Sequence, residues 1–313
     1  MNKLAQLQAK LGDKVTENKD ISHFLTLRTK TKAEYYFSAE SREDIVSAIK
    51  AAYELDISFF MLAGGSNMAV LRDTIEGLMI HNRYFKKEIL EDTPAYADVL
   101  FSSGYPMSRV VRETTEEGMA GFEYHLGLPG TIGGAIYMNS KWTKPVSYCG
   151  DTLISATIVD HQGNMRQVEK EYFEFAYDYS ILQKTKEIFL DGVFRLKKED
   201  ATLLQERSKA ALQYRQETQP HGVSTGGCFF QNITQEDKER ANLPTTSAGY
   251  LIDHAGLKGK QVGSFVVSDK HANFIVNTGE GKPEDLHELL DQIKSTIKEK
   301  YGVELVEEVR VIT

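Results

Sequence analysis

The spacing of apolar and polar positions changes repeatedly along the chain. Leu4, Leu7 and Leu11 share one helical face and Gly12 follows as a stop, which predicts a helix over 1–11. Residues 24–37 mix β-branched, aromatic and polar side chains and predict a strand pair. Ser41, with Asp44 three positions on, predicts a helix start, and Ile45, Ile49, Ala52 and Tyr53 give its apolar face. A short apolar run, 57–62, predicts a buried strand that ends at the turn-forming Ala63-Gly64-Gly65-Ser66-Asn67.

Further on, 107–117 predicts a helix, 122–139 is Gly-rich, and 153–160, 168–175 and 189–196 predict strands. Charged residues at 197–200 lead into a helix that runs through Tyr214. Pro283 opens a helix over 283–298 with Leu286, Leu289, Leu290, Ile293 and Ile297 on its apolar face. A closing strand is expected over 305–312. The pattern is α+β throughout, with domains at 1–199 and 200–313 and Glu308 on the closing strand.

Composition narrows the class. With 313 residues and 41% hydrophobic content, a substantial core is affordable. A net charge of −8 lacks the basic stripe that a phosphate backbone requires, so nucleic acid is not an expected partner. Cys149 and Cys228 are the only cysteines and form no CxxC pair, so neither a disulfide framework nor a metal site is signalled. There is no signal-peptide pattern and no apolar run near the roughly 20 residues of a membrane span, so a cytoplasmic location away from the membrane is expected.

Several stretches carry candidate chemistry. Gly64-Gly65-Ser66-Asn67 follows a strand, and Gly127, Gly130, Gly133 and Gly134 lie within eight residues together with Pro129 and Thr131. Glycines admit close backbone approach and positive φ, and successive amides make anion-binding concavities. The residues alone leave a pyrophosphate cradle and plain structural turns both open. Cys228, between Gly226-Gly227 and Phe229-Phe230, suits a proton donor in an apolar pocket, or a small buried hydrophobe. Tyr250, Lys258, Lys270 and His271 belong to a polar region suited to a phosphate-bearing substrate, or to a solvated surface. Glu307-Glu308 is either a solvated strand end or an acid–base candidate.

Taken in order, these stretches resemble the UDP-N-acetylenolpyruvoylglucosamine reductase (MurB) family, shorter form. The resemblance runs through Ala63-Gly64-Gly65-Ser66-Asn67, Leu128-Pro129-Gly130-Thr131-Ile132-Gly133-Gly134-Ala135, Arg215-Gln216-Glu217-Thr218-Gln219-Pro220 and Gly227-Cys228-Phe229-Phe230-Gln231-Asn232. It continues through Ala248-Gly249-Tyr250-Leu251-Ile252-Asp253-His254-Ala255-Gly256-Leu257-Lys258-Gly259, then Val267-Ser268-Asp269-Lys270-His271-Ala272-Asn273 and Glu308-Val309-Arg310.

The resemblance implies a two-lobed flavin-binding domain of the vanillyl-alcohol-oxidase-like (PCMH) type and a smaller α+β substrate-binding domain. It implies FAD held by Gly64, Gly65, Ser66, Asn67, Pro129, Gly130, Thr131, Gly133 and Gly134, with NADPH as reductant. The substrate would be a UDP-sugar, UDP-N-acetylglucosamine enolpyruvate, and the protein a monomer. Cys228 falls where the family most often has a serine general acid, and Glu308 matches the acidic residue at the enolpyruvyl end. Tyr177, Asn232, Tyr250, Lys258, Lys270 and His271 fall in substrate-binding segments.

Two departures stand out. The family usually reads Tyr-Arg-(Asp or Asn)-Ser where this chain has Tyr177-Asp178-Tyr179-Ser180. Losing a cation that stabilises the developing enolate would cost roughly 2–4 kcal/mol of transition-state stabilisation. Either another cation replaces it, with Lys141, Lys144 and Arg215 as candidates by position in the chain, or Asp178 points away and Tyr177 and Ser180 keep only structural roles, or the chain has changed substrate or lost activity. The second departure is Ser140-Lys141-Trp142-Thr143-Lys144, where the family favours small residues and glycine. A same-fold flavoprotein with another substrate, and a non-catalytic flavin or UDP-sugar binder, are the alternatives.

Overall fold

The structure, a computed structural model, describes residues 2–313. The chain divides into two compact units. The first takes the chain up to Lys19, Glu34–Gly64 and Glu76–Arg215, and the second takes Asp20–Ala33, Gly65–Ile75 and Gln216–Thr313. This division differs from the boundary read at 199/200. Helix Ala201–Thr218 stays with the first unit through Arg215, held by a Ser208 hydroxyl that donates to the Glu123 carbonyl at 2.9 Å. Two short segments from the N-terminal half join the second unit.

The first unit has two lobes. One is a four-stranded sheet in the order Thr16–Asp20, Lys32–Ala39, Thr74–Asn82, Phe59–Leu62. Helices Lys3–Leu11 and Arg42–Glu54 share its core, with Leu7, Ile45 and Ile49 packed among Phe37, Leu78 and Ile80. Ser41 caps the second helix by accepting from the Asp44 amide at 3.0 Å, as its sequence signals. Tyr53 falls at the edge of that helix's apolar stripe and is exposed.

The other lobe is antiparallel, in the order Met165–Glu169, Leu153–Val159, Ile188–Lys198, Tyr96–Ser102, Lys87–Asp92, with Met119–Ala120 also beside Ile188–Lys198. Phe101, Phe122 and Phe194 centre its core, which helices Met107–Glu116 and Ile132–Met138 help to close. Val159 and Leu190 pack into the first lobe's core. Arg42 reaches across to Asp191 at 2.6 Å, and Asp191 is almost fully buried. Burial works against the Arg42 charge, but Asp191 outweighs it and holds the guanidinium above its ordinary pKa.

Three strand expectations change. Residues 24–37 hold one strand, not two: Lys32–Ala39 pairs with the upstream Thr16–Asp20. The intervening stretch turns through Ser22–Phe24 and a left-handed Arg28 (φ +59°), burying Leu25 and Leu27 without a ladder. The strand expected over 168–175 ends at Glu169, after which Lys170–Phe173 coils into a 3₁₀ turn that buries Phe173. The closing strand is only Arg310–Ile312, parallel to Met68–Val70, so Glu308 precedes it rather than lying on it. The backbone before Arg310 is already committed to another partner, through the isolated bridge between Glu307 and Phe230.

The second unit is built on an antiparallel sheet in the order Ser224–Cys228, Phe274–Asn277, Phe265–Val267, Gln261–Val262. Helix Pro283–Tyr301 contributes Leu286, Leu289, Leu290, Ile293 and Ile297 to a core shared with Phe229, Phe230 and Phe265. Asn273 clamps the chain just after Cys228. Its side chain accepts from the Phe230 amide at 3.0 Å and donates to the Phe230 carbonyl at 2.8 Å, while its own carbonyl accepts from the Phe229 amide at 2.8 Å. Leaving a buried polar group unsatisfied costs about 1–3 kcal/mol. Asn273→Ala orphans two such groups at Phe230 and is expected to destabilise the protein by about 2–4 kcal/mol, read as a lower urea midpoint at unchanged m-value.

Candidate active site

The two glycine-rich loops meet in the first unit. A Cβ at Gly64 would lie 2.4 Å from the Cα of Gly130, a distance that real side chains do not adopt. The loops therefore touch backbone to backbone. Gly130 itself has φ +95°, which favours glycine. The second loop is fixed from behind by the segment after strand Tyr96–Ser102. Met107 donates to the Gly130 carbonyl at 3.1 Å, Ile132 to Tyr105 at 2.9 Å and Gly133 to Ser103 at 3.0 Å. A Cβ at Gly133 would strike Ser103 at 2.8 Å.

Thr131 caps helix Ile132–Met138, its hydroxyl accepting from the Gly134 amide at 3.4 Å. Gly134 is exposed, and the nearest atom to a Cβ there would be that hydroxyl at 3.9 Å. Pro129 is also exposed. The loop thus has one face pinned by backbone and one face of glycine backbone open to a ligand. That arrangement fits a pyrophosphate approached by amides.

The rest of the first loop belongs to the second unit. Gly65 has φ +59°, and a Cβ there would lie 2.2 Å from the Phe24 carbonyl oxygen. Its own carbonyl accepts from the Thr26 amide at 3.0 Å. Ser66 is half-buried. The Asn67 side chain donates to the Glu308 carbonyl at 3.4 Å, and the Asn67 carbonyl accepts from Arg310 at 3.0 Å. Asn67 therefore ties the loop to the C-terminal segment.

Cys228 and Glu308 are brought together through the backbone. Cys228 ends strand Ser224–Cys228 opposite Phe274, just after a register shift and a left-handed Gly227 (φ +88°). The Glu308 amide donates to the Phe229 carbonyl at 2.9 Å, one residue from Cys228. Both side chains are half-buried. Phe229 and Phe230 are buried beneath them as anchors. Asn232 accepts from the Ala248 amide at 3.3 Å, which sets it at the start of helix Ala248–His254.

The remaining polar candidates split. Tyr250 stacks on His254 with ring centroids 3.7 Å apart, and Lys258 pairs with Asp253 at 2.7 Å. His271 packs against the same helix: a Cβ at Gly249 would lie 3.1 Å from its Cε1. Burial, reinforced by the Lys258 charge, holds His271 below the ordinary imidazole range and therefore neutral at neutral pH. Lys270 turns elsewhere, and its ammonium donates to the Gln216 carbonyl.

In the first unit, Tyr177 is exposed and Asp178 takes a left-handed φ of +50°. Burial raises the Asp178 carboxyl above its usual range; a hydrogen bond with Tyr177 and the charge of Lys141 pull it partly back. Lys144 lies 5.1 Å from the Tyr214 ring, and Arg215 lies 4.7 Å from the Trp142 ring. Sequence reasoning missed the Ser103-Gly104-Tyr105-Pro106-Met107 platform behind the second loop. The Gly-Tyr-Pro turn was its only signal. It also missed the buried His125–Cys149 contact at 3.6 Å, where burial first, then Arg215, lowers the imidazole to about 3. Among the described residues no group of three or more His, Cys, Asp or Glu is placed to hold a metal, and no helix is long and apolar enough to cross a membrane.

Comparison with known proteins gives these sites a family. Residues 219–312 match the UDP-N-acetylenolpyruvoylglucosamine reductase C-terminal domain, and residues 33–169 match the FAD binding domain. The UDP-N-acetylenolpyruvoylglucosamine reductase of Chlamydia muridarum is 31% identical over 298 residues, covering 95% of this chain and 94% of its own. The crystal structure of the Thermus caldophilus enzyme superposes with a TM-score of 0.74 at 25% identity, over 96% of this chain and 98% of the other. p-Cresol methylhydroxylase superposes with a TM-score of 0.53 over 95% of this chain and 87% of its own; at 10% identity this likeness shows the shared fold alone. By sequence and fold, then, the chain belongs to the UDP-N-acetylenolpyruvoylglucosamine reductase family.

Proposed function

We propose that this chain carries out the FAD-dependent, NADPH-using reduction of UDP-N-acetylglucosamine enolpyruvate to UDP-N-acetylmuramate, a step in peptidoglycan precursor synthesis. The observation that carries this reading is the Glu308–Phe229 backbone bond, which holds Glu308 one residue from Cys228. A carboxylate and a thiol on adjoining backbone suit the proton transfer that such a reduction needs. The nucleotide-linked substrate and NADPH assign the reaction to the cytoplasm. A monomer is sufficient for it, because one chain carries every group invoked.

FAD, when bound, supplies the hydride chemistry between NADPH and the enolpyruvyl double bond. The backbone of Gly64, Gly65, Gly130, Gly133 and Gly134 would hold its pyrophosphate, with Pro129 stiffening the second loop and the Thr131 hydroxyl, Ser66 and Asn67 at its rim. Cys228 holds a proton on Sγ and delivers it to the carbon next to the substrate carboxylate. Glu308 stabilises the enol or relays a proton to it. Tyr250, Lys258 and the neutral His271 bind the uridine diphosphate, with Asn232 positioning the sugar end. Lys270 approaches the diphosphate only by leaving the Gln216 carbonyl. These assignments place flavin binding mainly in the first unit and proton transfer in the second.

The direct test is NADPH consumption by the FAD-loaded protein without oxygen, with and without UDP-N-acetylglucosamine enolpyruvate. Substrate-dependent consumption is expected; flavin reduction without turnover would mean another substrate. Cys228→Ala should leave flavin reduction by NADPH intact and lower product formation by about 10²–10⁴-fold, with Cys228→Ser retaining most activity. Full turnover in the alanine variant would remove Cys228 from the chemistry. Gly64→Val should force the two loops apart, and purified protein should carry less FAD, measured by flavin absorbance per chain. Unchanged flavin content in a well-folded variant would remove that contact from the cofactor site.

A further inference from the structure

Glu307 and Glu308 stand side by side near the C-terminus, and the sequence does not say which of them faces the chemistry. The segment that carries them lies wholly within the second unit. Helix Pro283–Tyr301 ends at Gly302, whose left-handed φ of +67° turns the chain back beside the helix. Val303 and Leu305 then enter the core, while Glu304 and Val306 stay exposed. Gln231 donates to the Val306 carbonyl at 2.9 Å, Glu307 bridges Phe230, and the Glu308 amide donates to the Phe229 carbonyl at 2.9 Å. The alternation of buried and exposed positions breaks at the glutamate pair. Both are half-buried, and Val309 returns to the core. Burial therefore does not distinguish one carboxylate from the other.

The helix does. Lys294 and Lys298 lie four residues apart, so their side chains share one face. Lys298 pairs with Glu304 at 2.7 Å, and one turn earlier Lys294 pairs with Glu307. The two ion pairs differ in exposure. In the outer pair the side chains are 65% and 75% exposed, and in the inner pair 35% and 26%. Water screens the outer pair more fully, so the inner one carries more of the restraint. Lys294 thus commits the Glu307 carboxylate to the helix, while Glu308 keeps its backbone bond one residue from Cys228.

We propose that Lys294 is a positioning residue: by holding Glu307 against helix Pro283–Tyr301, it fixes the register in which Glu308, not Glu307, is presented beside Cys228. The register stands on the second unit's own contacts; what Glu308 then does there rests on the reductase reading above. Lys294 acts through Glu307 and not on a ligand. Without this ion pair the two glutamates gain a second placement, in which the Glu308 amide no longer reaches Phe229.

Two readouts test this. Amide hydrogen exchange reports the segment directly. Lys294→Met should speed exchange at Glu308 and Gln231 by about twofold to fivefold, the range for one partly exposed ion pair, with Lys298→Met close to wild type. On FAD-loaded protein, Lys294→Met should lower product formation from UDP-N-acetylglucosamine enolpyruvate by a similar factor, while NADPH reduces the flavin at the wild-type rate. Lys294→Arg should keep wild-type values, and the charge-exchanged protein, Lys294→Glu with Glu307→Lys, should regain most of both. Unchanged exchange at Glu308 in Lys294→Met overturns the inference. So does an equal loss of flavin reduction and product formation, or a charge-exchanged protein no better than Lys294→Met. Wild-type protein that does not turn over the substrate overturns the reductase reading instead, and amide exchange alone then decides the register.

Discussion

The first unit depends on one contact in which no side chain takes part. Gly64 leaves the end of strand Phe59–Leu62 in one lobe, and Gly130 precedes helix Ile132–Met138 in the other. Their backbones approach so closely that even a methyl group would strike Cα. The lobes must dock accurately for that approach to exist. Val159 and Leu190 supply apolar burial at the junction, and the Arg42–Asp191 pair fixes its register. Close packing of this kind tolerates little displacement. The glycines do not create the junction; they permit it, and they leave amides rather than side chains at its surface.

The second unit solves a different problem. Under the proposed function it must hold Cys228 and Glu308 steady, and both are half-buried. Cys228 and Glu308 are far apart in sequence and adjoin because their backbones bond through Phe229. Asn273 repeats the solution beneath them, with a buried amide serving both polar groups of Phe230. Rigid support from buried hydrogen bonds is what a site needs when chemistry requires a fixed geometry. The two phenylalanines contribute burial, and the thiol before them is carried on that anchored stretch.

Charge is where this chain parts from its family. Asp178 stands where the resemblance expects an arginine, and the Lys141 ammonium lies 5.2 Å from the ring of the neighbouring Tyr177. A guanidinium and an ammonium are not equivalent: the first grips a carboxylate with a planar fork, the second acts as a point charge. The hairpin Lys141–Thr143 and Val146–Tyr148 packs through Trp142 against Tyr214, ring to ring at 5.8 Å.

Much of this was legible in the sequence. The helices at Arg42–Glu54 and Pro283–Tyr301 follow from capping and spacing, which are local, and the glycine clusters announce backbone approach without naming the partner. Ordered motifs were enough to indicate the family. Local pattern failed where long-range pairing decided the outcome. The stretch before Lys32 reads as a strand but coils, because its neighbour in the sheet comes from upstream. The C-terminal run reads as one strand but is divided between two partners, Phe230 and Met68–Val70. The sequence by itself determined which residues can carry the chemistry and which positions must be glycine, because those depend on each residue's own atoms. Only the tertiary structure decided that Gly64 meets Gly130 and that Glu308 adjoins Cys228, because each depends on contacts between segments far apart in the chain.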